Sequence, residues 1–469
     1  MSSLHALKRE KENENIHGNR TQANSAMRAQ DQGQPSSSKP KLLYRFGDVK
    51  DGQVCAPAIV RRVLEEEGWK EAREGQRWNL FWKSGRFGVG EYDRDRACDQ
   101  RLNHFAKSGQ ICTKDSLVRI MRRNKATHGK VYDFVPETFL LPNEYNKFVK
   151  AYTETRDDDR ELWICKPTDL SRGQKIFVMR DLRELVYDCS SVIQRYVKNP
   201  LLVGGYKFDL RIYVLVTSVH PLRVHLFEDG LCRFGTVPYE AHHSNVYAHL
   251  TNFAINKNSP TYDTCKEVIG PHNKWTLRRL GEYLRSSGVP MEEVMIKVKA
   301  LVVLSLINLP AIVPKSSSPT CFELFGFDVI LDEKLKPWLL EVNTSPALGV
   351  DCFEDEDVKE PLIRDLLSAI EFSGLEHKEC GRERRRKRPW SRGAGAGAEA
   401  GARMASAGAD GFRLSDAGKY RQIFPFNQKT EDLARELDLA RDPVPAVRKV
   451  ISELRQWKKE ALRDVRQGR

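Results

Sequence analysis

Residues 321–348, CFELFGFDVILDEKLKPWLLEVNTSPAL, predict two strands joined by a short polar turn at 332–336. Asp328 lies in the first strand among apolar residues, where an unpaired carboxylate is costly. Glu341 and Asn343 stand two apart in the second strand, so both side chains lie on one face. Oxygen ligands of this kind suit Mg²⁺. The alternative is a hairpin that carries its charges on a solvated face.

The composition indicates a chain with a sizeable core and an acidic partner. Its 469 residues suffice for one large domain or two to three ordinary ones, 40% are hydrophobic, and the net charge is +13. The ten cysteines form no C-x-x-C pair, which disfavours a zinc site or a disulfide framework and fits a reducing compartment. We find no secretory signal, and the most apolar run, residues 300–313, is too short and interrupted to span a bilayer. We therefore expect a soluble intracellular protein with no membrane partner.

Hydrophobic periodicity predicts alternating helices and strands between two polar regions. Residues 1–40 are poor in large apolar side chains and are expected to be disordered. The pattern predicts helices at 58–68, 115–123, 144–155, 276–285, 291–309 and 361–372. It predicts strands at 78–84, 162–166, 176–179, 191–197 and 207–216, with a further hairpin formed by 224–227 and 230–234. Residues 134–142 contain two prolines and are expected to cross between domains.

Basic side chains near the predicted strands point to a nucleoside triphosphate site. Lys166 ends a strand just before a glycine-bearing loop, residues 167–175. In the alternating strand 207–216, Lys207, Asp209 and Arg211 share one face. Cross-strand salt bridges on an exposed face are the alternative for these charges. The Walker A and Rossmann glycine patterns are absent.

The composition changes after the predicted core. Residues 382–392, RERRRKRPWSR, fit an acidic polymer, with a nuclear localisation signal or a solvated tail as alternatives. A Gly/Ala-rich linker follows at 393–411, and the chain is predicted to be helical again from 430. The last helix carries an apolar stripe that would dock on a partner or pack on the chain's own core: Val447, Val450, Leu454, Trp457, Ala461 and Val465.

Four motifs resemble the tubulin tyrosine ligase-like family, of ATP-grasp fold: CKPTDLSRG (165–173), QRYVKNPLLVGGYKFDLRIYVLV (194–216), AHLTNFAINK (248–257) and FELFGFDVILDEKLKPWLLEVNTSPAL (322–348). The resemblance covers roughly residues 44–375. It implies an α/β (α+β) fold with N-terminal, central and C-terminal subdomains. We accordingly expect a catalytic domain at 41–375, a basic run and linker at 376–411, and a helical C-terminal extension at 412–469.

The resemblance also implies roles for individual residues. ATP phosphates would contact Lys166, Arg172 and Gly173, and the adenine would lie beside Gln194, Arg195, Tyr196 and Val197. Ribose and phosphate would lie along Lys207, Phe208 and Asp209, and the nucleotide loop would include Thr251 and Asn252. Magnesium would be bound by Asp328, Glu341 and Asn343. Arg233 and Lys257 would hold the carboxylate of the incoming amino acid, and Arg211 would stabilise the transferred phosphate as a catalytic cation.

The implied activity is ATP- and Mg²⁺-dependent addition of glutamate to the γ-carboxylates of glutamates in tubulin tails, through an acylphosphate. The partners would be the acidic tails of tubulin in microtubules and free L-glutamate, with an accessory protein left open. Nucleic acid is disfavoured because no basic motif is interleaved with aromatic residues. The expected location is the cytoplasmic cytoskeleton, with the cilium, basal body or flagellum left open. A catalytically weak microtubule-binding protein and a ligase for glycine or tyrosine are the alternatives.

Two departures from the family pattern motivate the weaker alternative. Lys175 stands where the family has glycine, so its side chain would crowd the phosphate, strain the backbone or add charge. Ala254 stands where the family often has serine, and a hydroxyl is lost from the nucleotide loop.

Overall fold

A computed structural model describes residues 42–467, except 51–52, 95, 156–160, 171–172, 187, 241–244, 262–267, 318–319 and 371–417. The predicted disorder at 1–40 and the basic run and linker at 376–411 therefore lie outside the described residues. The described residues all belong to one compact unit, which begins at Lys41.

The strands of the described part are, in chain order, β1 (Leu43–Phe46), β2 (Asp48–Lys50), β3 (Gln53–Cys55), β4 (Lys70–Glu71), β5 (Leu80–Trp82), β6 (Arg101–Leu102), β7 (Thr138–Leu141), β8 (Trp163–Pro167), β9 (Phe177–Met179), β10 (Ser191–Arg195), β11 (Leu202–Val203), β12 (Tyr206–Val219), β13 (Leu222–Phe234), β14 (Lys274–Thr276), β15 (Glu323–Leu331), β16 (Pro337–Asn343) and β17 (Tyr420–Phe424).

The α-helices of the same part are α1 (Ala58–Glu66), α2 (Val89–Tyr92), α3 (Lys114–His128), α4 (Tyr145–Glu154), α5 (Val246–His249), α6 (Phe253–Asn256), α7 (Leu277–Ser286), α8 (Met291–Leu306), α9 (Leu309–Ile312), α10 (Phe353–Ala369), α11 (Gln428–Leu439) and α12 (Val444–Arg466).

The described strands form three main sheets and one small hairpin. The largest sheet has seven strands in the order β14-β13-β12-β15-β16, with β11 on β12 and β17 on β13. A second, antiparallel sheet has the order β7-β10-β8-β9, and a parallel sheet has the order β4-β1-β5-β6. This mixed α/β architecture agrees with the predicted fold class.

Strand β12 separates two hydrophobic cores, because its side chains are buried on both faces. Phe208, Leu210 and Ile212 face the larger core, to which α7, α8, α11 and α12 contribute. Tyr213 and Leu215 face a second core, between this sheet and helices α1 and α10. The predicted alternation at 207–216 is thus real, and neither face of the strand is exposed.

The segment Met291–Ile312 is long and apolar enough to cross a membrane by length and composition, although most of it is buried inside the protein. The sequence analysis placed the most apolar run at residues 300–313 and a helix at 291–309, and the apolar segment of the structure extends over nearly all of both. Its side chains Val298, Val302 and Leu306 pack in the larger core. Its surroundings are therefore those of a core helix.

Three predicted elements are corrected by the structure. Residues 224–234 form one strand, not a hairpin, because Asp229 accepts hydrogen bonds from the backbone of Gly230 and Leu277 and the chain continues through a bulge. Residues within 134–142 form β7, which pairs with β10, rather than a simple crossing segment. Helix α10 begins at Phe353 and includes Pro361 in its interior.

The chain after the undescribed segment 371–417 returns to the large sheet. Strand β17, which the sequence analysis did not predict, pairs antiparallel with β13. Arg223 on β13 forms a two-pronged ion pair with Glu431 on α11, at 2.7 and 3.2 Å. In α12, Val447, Val450 and Leu454 are buried in the larger core. The part of the apolar stripe from Val447 to Leu454 therefore packs on the chain's own core, which was the alternative to an external partner.

Candidate functional site

A row of charged side chains crosses the large sheet at one level. Asp209 on β12 lies directly opposite Arg233 on β13, and Arg211 lies opposite Asp328 on β15. Asp328 in turn lies opposite Glu341 on β16. Directly opposed residues of neighbouring strands have close side chains, so the sheet register brings these five groups together.

The two arginines are held by the carboxylates of this row. Arg211 donates from Nε to Oδ1 of Asp328 at 2.5 Å and from Nη2 to Oδ2 at 3.1 Å. Arg233 Nη2 lies 2.9 Å from Oδ2 of Asp328, and the same guanidinium forms a two-pronged pair with Asp209. Burial opposes ionisation of Asp328, but the two arginines outweigh it and hold its pKa well below the ordinary value.

Glu341 has the opposite electrostatic environment. Burial raises the pKa of Glu341, and the negative charge of Asp328 raises it further. Asn343 lies two residues on, opposite Gly326. Its Nδ2 donates weakly to Oε1 of Glu341 at 3.3 Å and to the carbonyl of Gly326 at 3.4 Å. Asp328 and Glu341 are thus two close carboxylates, and Glu341 takes up a proton more readily than an ordinary glutamate. A cation bound between them would stabilise the charged forms of both.

Two lysines from neighbouring elements face this row. Lys166 on β8 donates to Oε1 of Gln194 at 2.8 Å, and burial lowers its pKa to about 8. Lys207 on β12 donates to the hydroxyl of Tyr196 at 2.5 Å and to the carbonyl of His249 at 2.7 Å. Burial, with the nearby charge of Lys166, lowers the pKa of Lys207 to about 7. A phosphate group near these lysines would favour their charged forms.

A cavity lies between the second sheet and the large sheet and collects most of the predicted site residues. The predicted residues on its wall are Lys166, Gly173, Gln194, Arg195, Tyr196, Val197, Lys207, Asp209, Arg233, Thr251, Asn252, Asp328 and Glu341. Gly173 has a φ of +78°, and a Cβ there would lie 2.3 Å from Cδ1 of Ile255. The glycine therefore allows the loop after β8 to approach the loop that carries Thr251 and Asn252.

The remaining predicted residues occupy other positions. Phe208 points away from the cavity into the core, where its ring centroid lies 5.6 Å from that of Phe234, because adjacent residues of a strand face opposite sides. Lys257 is exposed at the end of α6 and is not part of the cavity wall. Arg211 and Asn343 lie behind the cavity wall, where Arg211 contacts Asp328 and Asn343 contacts Glu341. Arg172 lies outside the described residues.

The two departures from the family pattern leave the cavity open. Lys175 has a φ of +53°, the left-handed conformation that favours glycine. Its Nζ lies 2.7 Å from Oδ2 of Asp188, on the exposed side of the loop. Ala254 is exposed on α6. Lys175 thus strains the backbone without crowding the cavity.

Several wall residues were missed by sequence reasoning. Ile330 and Leu340 line the cavity from the hairpin strands, and their position beside Asp328 and Glu341 could have indicated this. Lys114, at the start of α3, donates to the carbonyl of Leu170 at 2.6 Å and supports the loop after β8. No sequence pattern links Lys114 to that loop, because 56 residues separate the two.

Known proteins resemble this chain over the same region. The model of the tubulin-tyrosine ligase family matches residues 92–380. The probable tubulin polyglutamylase TTLL2 of Mus musculus is 39% identical over 378 residues, which cover 78% of this chain and 68% of the relative. TTLL2 of Homo sapiens is 40% identical over 364 residues, covering 76% of this chain and 60% of the relative.

A more distant relative matches over a smaller share of its length. The tubulin polyglutamylase TTLL5 of Mus musculus is 37% identical over 329 residues, which cover 67% of this chain and 24% of the relative. The matched region therefore spans less than two thirds of the length of two of these three relatives.

Proposed function

Because this chain belongs to the tubulin-tyrosine ligase family, we propose that it is a ligase that joins glutamate to glutamate side chains of tubulin at the expense of ATP. The relatives named above are themselves called tubulin polyglutamylases. The observation that supports this reaction best is the charged row from Arg233 to Glu341, which faces Lys166 and Lys207 across one cavity.

The proposed reaction needs no nucleophile from the protein. The γ-carboxylate of the acceptor glutamate attacks the γ-phosphorus of ATP, and ADP leaves. The amine of the free glutamate then attacks the acylphosphate carbon, the amine loses a proton, and inorganic phosphate leaves as the amide forms. Catalysis of such steps depends on positioning and on charge stabilisation.

Lys166 and Lys207 are proposed to bind the phosphates. Both ammonium groups lie in the cavity, and burial lowers the pKa of each. A bound triphosphate would return them to their charged forms. Gln194 receives a hydrogen bond from Lys166 and donates to Oγ1 of Thr138 at 2.9 Å, so it holds the ammonium group in position.

Asp328 and Glu341 are proposed to hold Mg²⁺. Two carboxylates opposite each other, with the pKa of Glu341 raised by burial and by Asp328, fit a hard divalent cation that keeps water and phosphate as its other ligands. Rotation of the Asn343 amide by half a turn would exchange the positions of its nitrogen and oxygen and present the oxygen beside Glu341 as a further ligand. When bound, the metal would neutralise phosphate charge.

The arginines are proposed to position the reacting groups. Arg211 is buried behind Asp328, so we assign it mainly to orienting that carboxylate. Arg233 lines the cavity and forms ion pairs with both Asp209 and Asp328. We propose that it binds the carboxylate of the incoming amino acid. Lys257 and Phe208 are not on the cavity wall, so they would contact a bound substrate only after a conformational change of the protein.

A catalytically weak microtubule-binding protein is the second candidate function. It was suggested by Lys175 and Ala254, but neither side chain obstructs the cavity. A ligase for glycine or tyrosine remains the third candidate, because the residues around Arg233 leave the amino acid open. Microtubules of the cytoplasm or of a cilium are the proposed location, and the acidic tubulin tail the proposed partner.

The test is incubation of the purified chain with tubulin, ATP, Mg²⁺ and a single labelled amino acid. We expect label from glutamate in the tubulin tails, seen by mass spectrometry as increments of one glutamyl residue. Label from glycine or tyrosine alone would assign a different amino acid. Binding of the chain to microtubules without any label would favour the second candidate.

A further inference from the structure

A basic cavity lies between α8, α12 and the start of β16, apart from the site described above. Its volume is about 300 Å³. Of the described residues on its wall, five carry positive charge and one is a carboxylate, Asp133; the cations are Lys130, Lys297, Lys336, Arg455 and Lys458. Such a concentration of one sign of charge attracts an anion.

Several of these cations lack a carboxylate of their own. Within the part of the chain that the structure describes, no ion pair or hydrogen bond is found for the side chains of Lys130, Arg455 or Lys458. Lys297 lies 3.1 Å from Glu293, and Lys336 lies 3.7 Å from Asp133, which Lys125 also contacts. The positive charge of the cavity is therefore only partly balanced.

Lys458 is the cation in the most unfavourable surroundings. Its side chain is half-buried on α12. Burial lowers the pKa of Lys458, and the charge of Lys297 lowers it further. An anion between these two lysines would remove that repulsion.

The floor of the cavity is apolar. It is formed by apolar side chains at the edge of the larger core: Phe134, Ala300, Leu301, Leu304 and Leu454. A ligand that fits both surfaces has an apolar body and an anionic head, because apolar contact and charge pairing are then satisfied together.

We propose that this cavity binds a small organic anion with an apolar body and a carboxylate or phosphate head, with Lys458 as the central contact of the head. The site exists because the last helix packs on α8, and Leu454 supplies part of its floor from the apolar stripe. It is independent of the ligase function proposed above, since it shares no residue with the cavity of Lys166 and Glu341.

The test is calorimetric titration of the full chain with decanoate, decanol and citrate. Decanoate has the proposed chemistry, decanol lacks the charge, and citrate lacks the apolar body. We expect decanoate to bind at least about tenfold more tightly than the other two, because each removes one of the two contributions.

Lys458→Glu should weaken decanoate binding by at least about tenfold, whereas Lys459→Glu should leave it unchanged, because Lys459 is exposed on the same helix. Circular dichroism checks that both variants are folded, and Lys458→Gln replaces Lys458→Glu if the latter unfolds. Equal affinity of the wild type and the Lys458 variant, or equal losses in both glutamate variants, would overturn the proposal. Citrate binding as tight as that of decanoate would overturn the ligand class.

Discussion

Arg211 on β12 lies directly opposite Asp328 on β15, and its guanidinium donates hydrogen bonds to both carboxylate oxygens of that residue. The pair is buried and is joined by Arg233. It ties the strand that carries Lys207 to the hairpin that carries Glu341, so the stability of the sheet and the geometry of the site depend on the same contact.

Arg211→Met should destabilise the fold, because it removes one partner of a buried pair and leaves Asp328 with Arg233 alone. We expect a loss of about 3 kcal/mol in the free energy of unfolding. Lys449→Met is the control, since its pair with Glu436 is exposed and should contribute less than about 1 kcal/mol. Urea denaturation of both variants measures the difference. Equal losses in the two variants would show that the buried pair has no special role.

ATP affinity should fall as the pH rises from about 7 to about 9. In the free protein the pKa is about 7 for Lys207 and about 8 for Lys166, so these lysines lose their protons in this range. A triphosphate favours their charged forms, so binding takes up protons, and the affinity should decrease by up to about tenfold per lysine for each pH unit above its pKa.

Calorimetry in buffers of different ionisation enthalpy measures this proton uptake. Lys207→Arg keeps the charge at every pH and should reduce the uptake at pH 8. A pH-independent ATP affinity would contradict the role of these lysines, because they would then not titrate on binding.

Stability should also depend on pH through His104. Its Nδ1 lies 2.6 Å from Oε1 of Glu323 and its Nε2 lies 2.8 Å from the carbonyl of Lys83, so both nitrogens donate when the ring is protonated. Although burial opposes it, the charge of Glu323 raises the pKa of His104. The stabilisation of the fold by protonated His104 is therefore complete below the pKa of histidine in the unfolded chain, about 6.5. It is lost as the pH rises through the pKa of His104 in the folded protein.

The measurement is the difference in unfolding free energy between the wild type and His104→Asn across this range. We expect the difference to shrink as the pH rises. A constant or growing difference would show that His104 is neutral in the folded protein.

Lys175→Gly should raise the melting temperature slightly and leave ATP affinity unchanged. Glycine adopts a φ of +53° without strain, and the side chain of Lys175 faces Asp188 instead of the cavity. Lys175→Ala is the matched control, because it also removes the exposed ion pair but keeps the strained backbone. A large gain or loss of ATP affinity in both variants would show that this side chain reaches the phosphates.

The hairpin of residues 321–348 could be predicted in detail because its information is local. The period of two placed Glu341 and Asn343 on one face of the second strand, and the observed register pairs Asp328 with Glu341 and Gly326 with Asn343. The family assignment made from the motifs is likewise confirmed by the match at 92–380.

Other features depend on contacts between distant parts of the chain. Asp229 and Gly230 resemble a turn, but the hydrogen bond from Leu277 to Asp229 keeps β13 extended. Strand β17 forms on the edge of β13, which local propensity does not reveal. The sharing of Asp328 by Arg211 and Arg233 follows from the pairing of β12 with both β13 and β15, and β15 lies more than a hundred residues after β12 in the sequence.

The proposed ligase reaction is tested by the transfer of labelled glutamate to tubulin by the wild type and by Glu341→Gln. The substitution keeps the size of the side chain and removes the charge opposite Asp328. We expect ATP- and Mg²⁺-dependent transfer by the wild type and a loss of at least about a hundredfold in the variant, with an unchanged circular dichroism spectrum. Transfer by the folded variant at the wild-type rate would contradict the assignment of the carboxylate pair on β15 and β16 as the centre of the site.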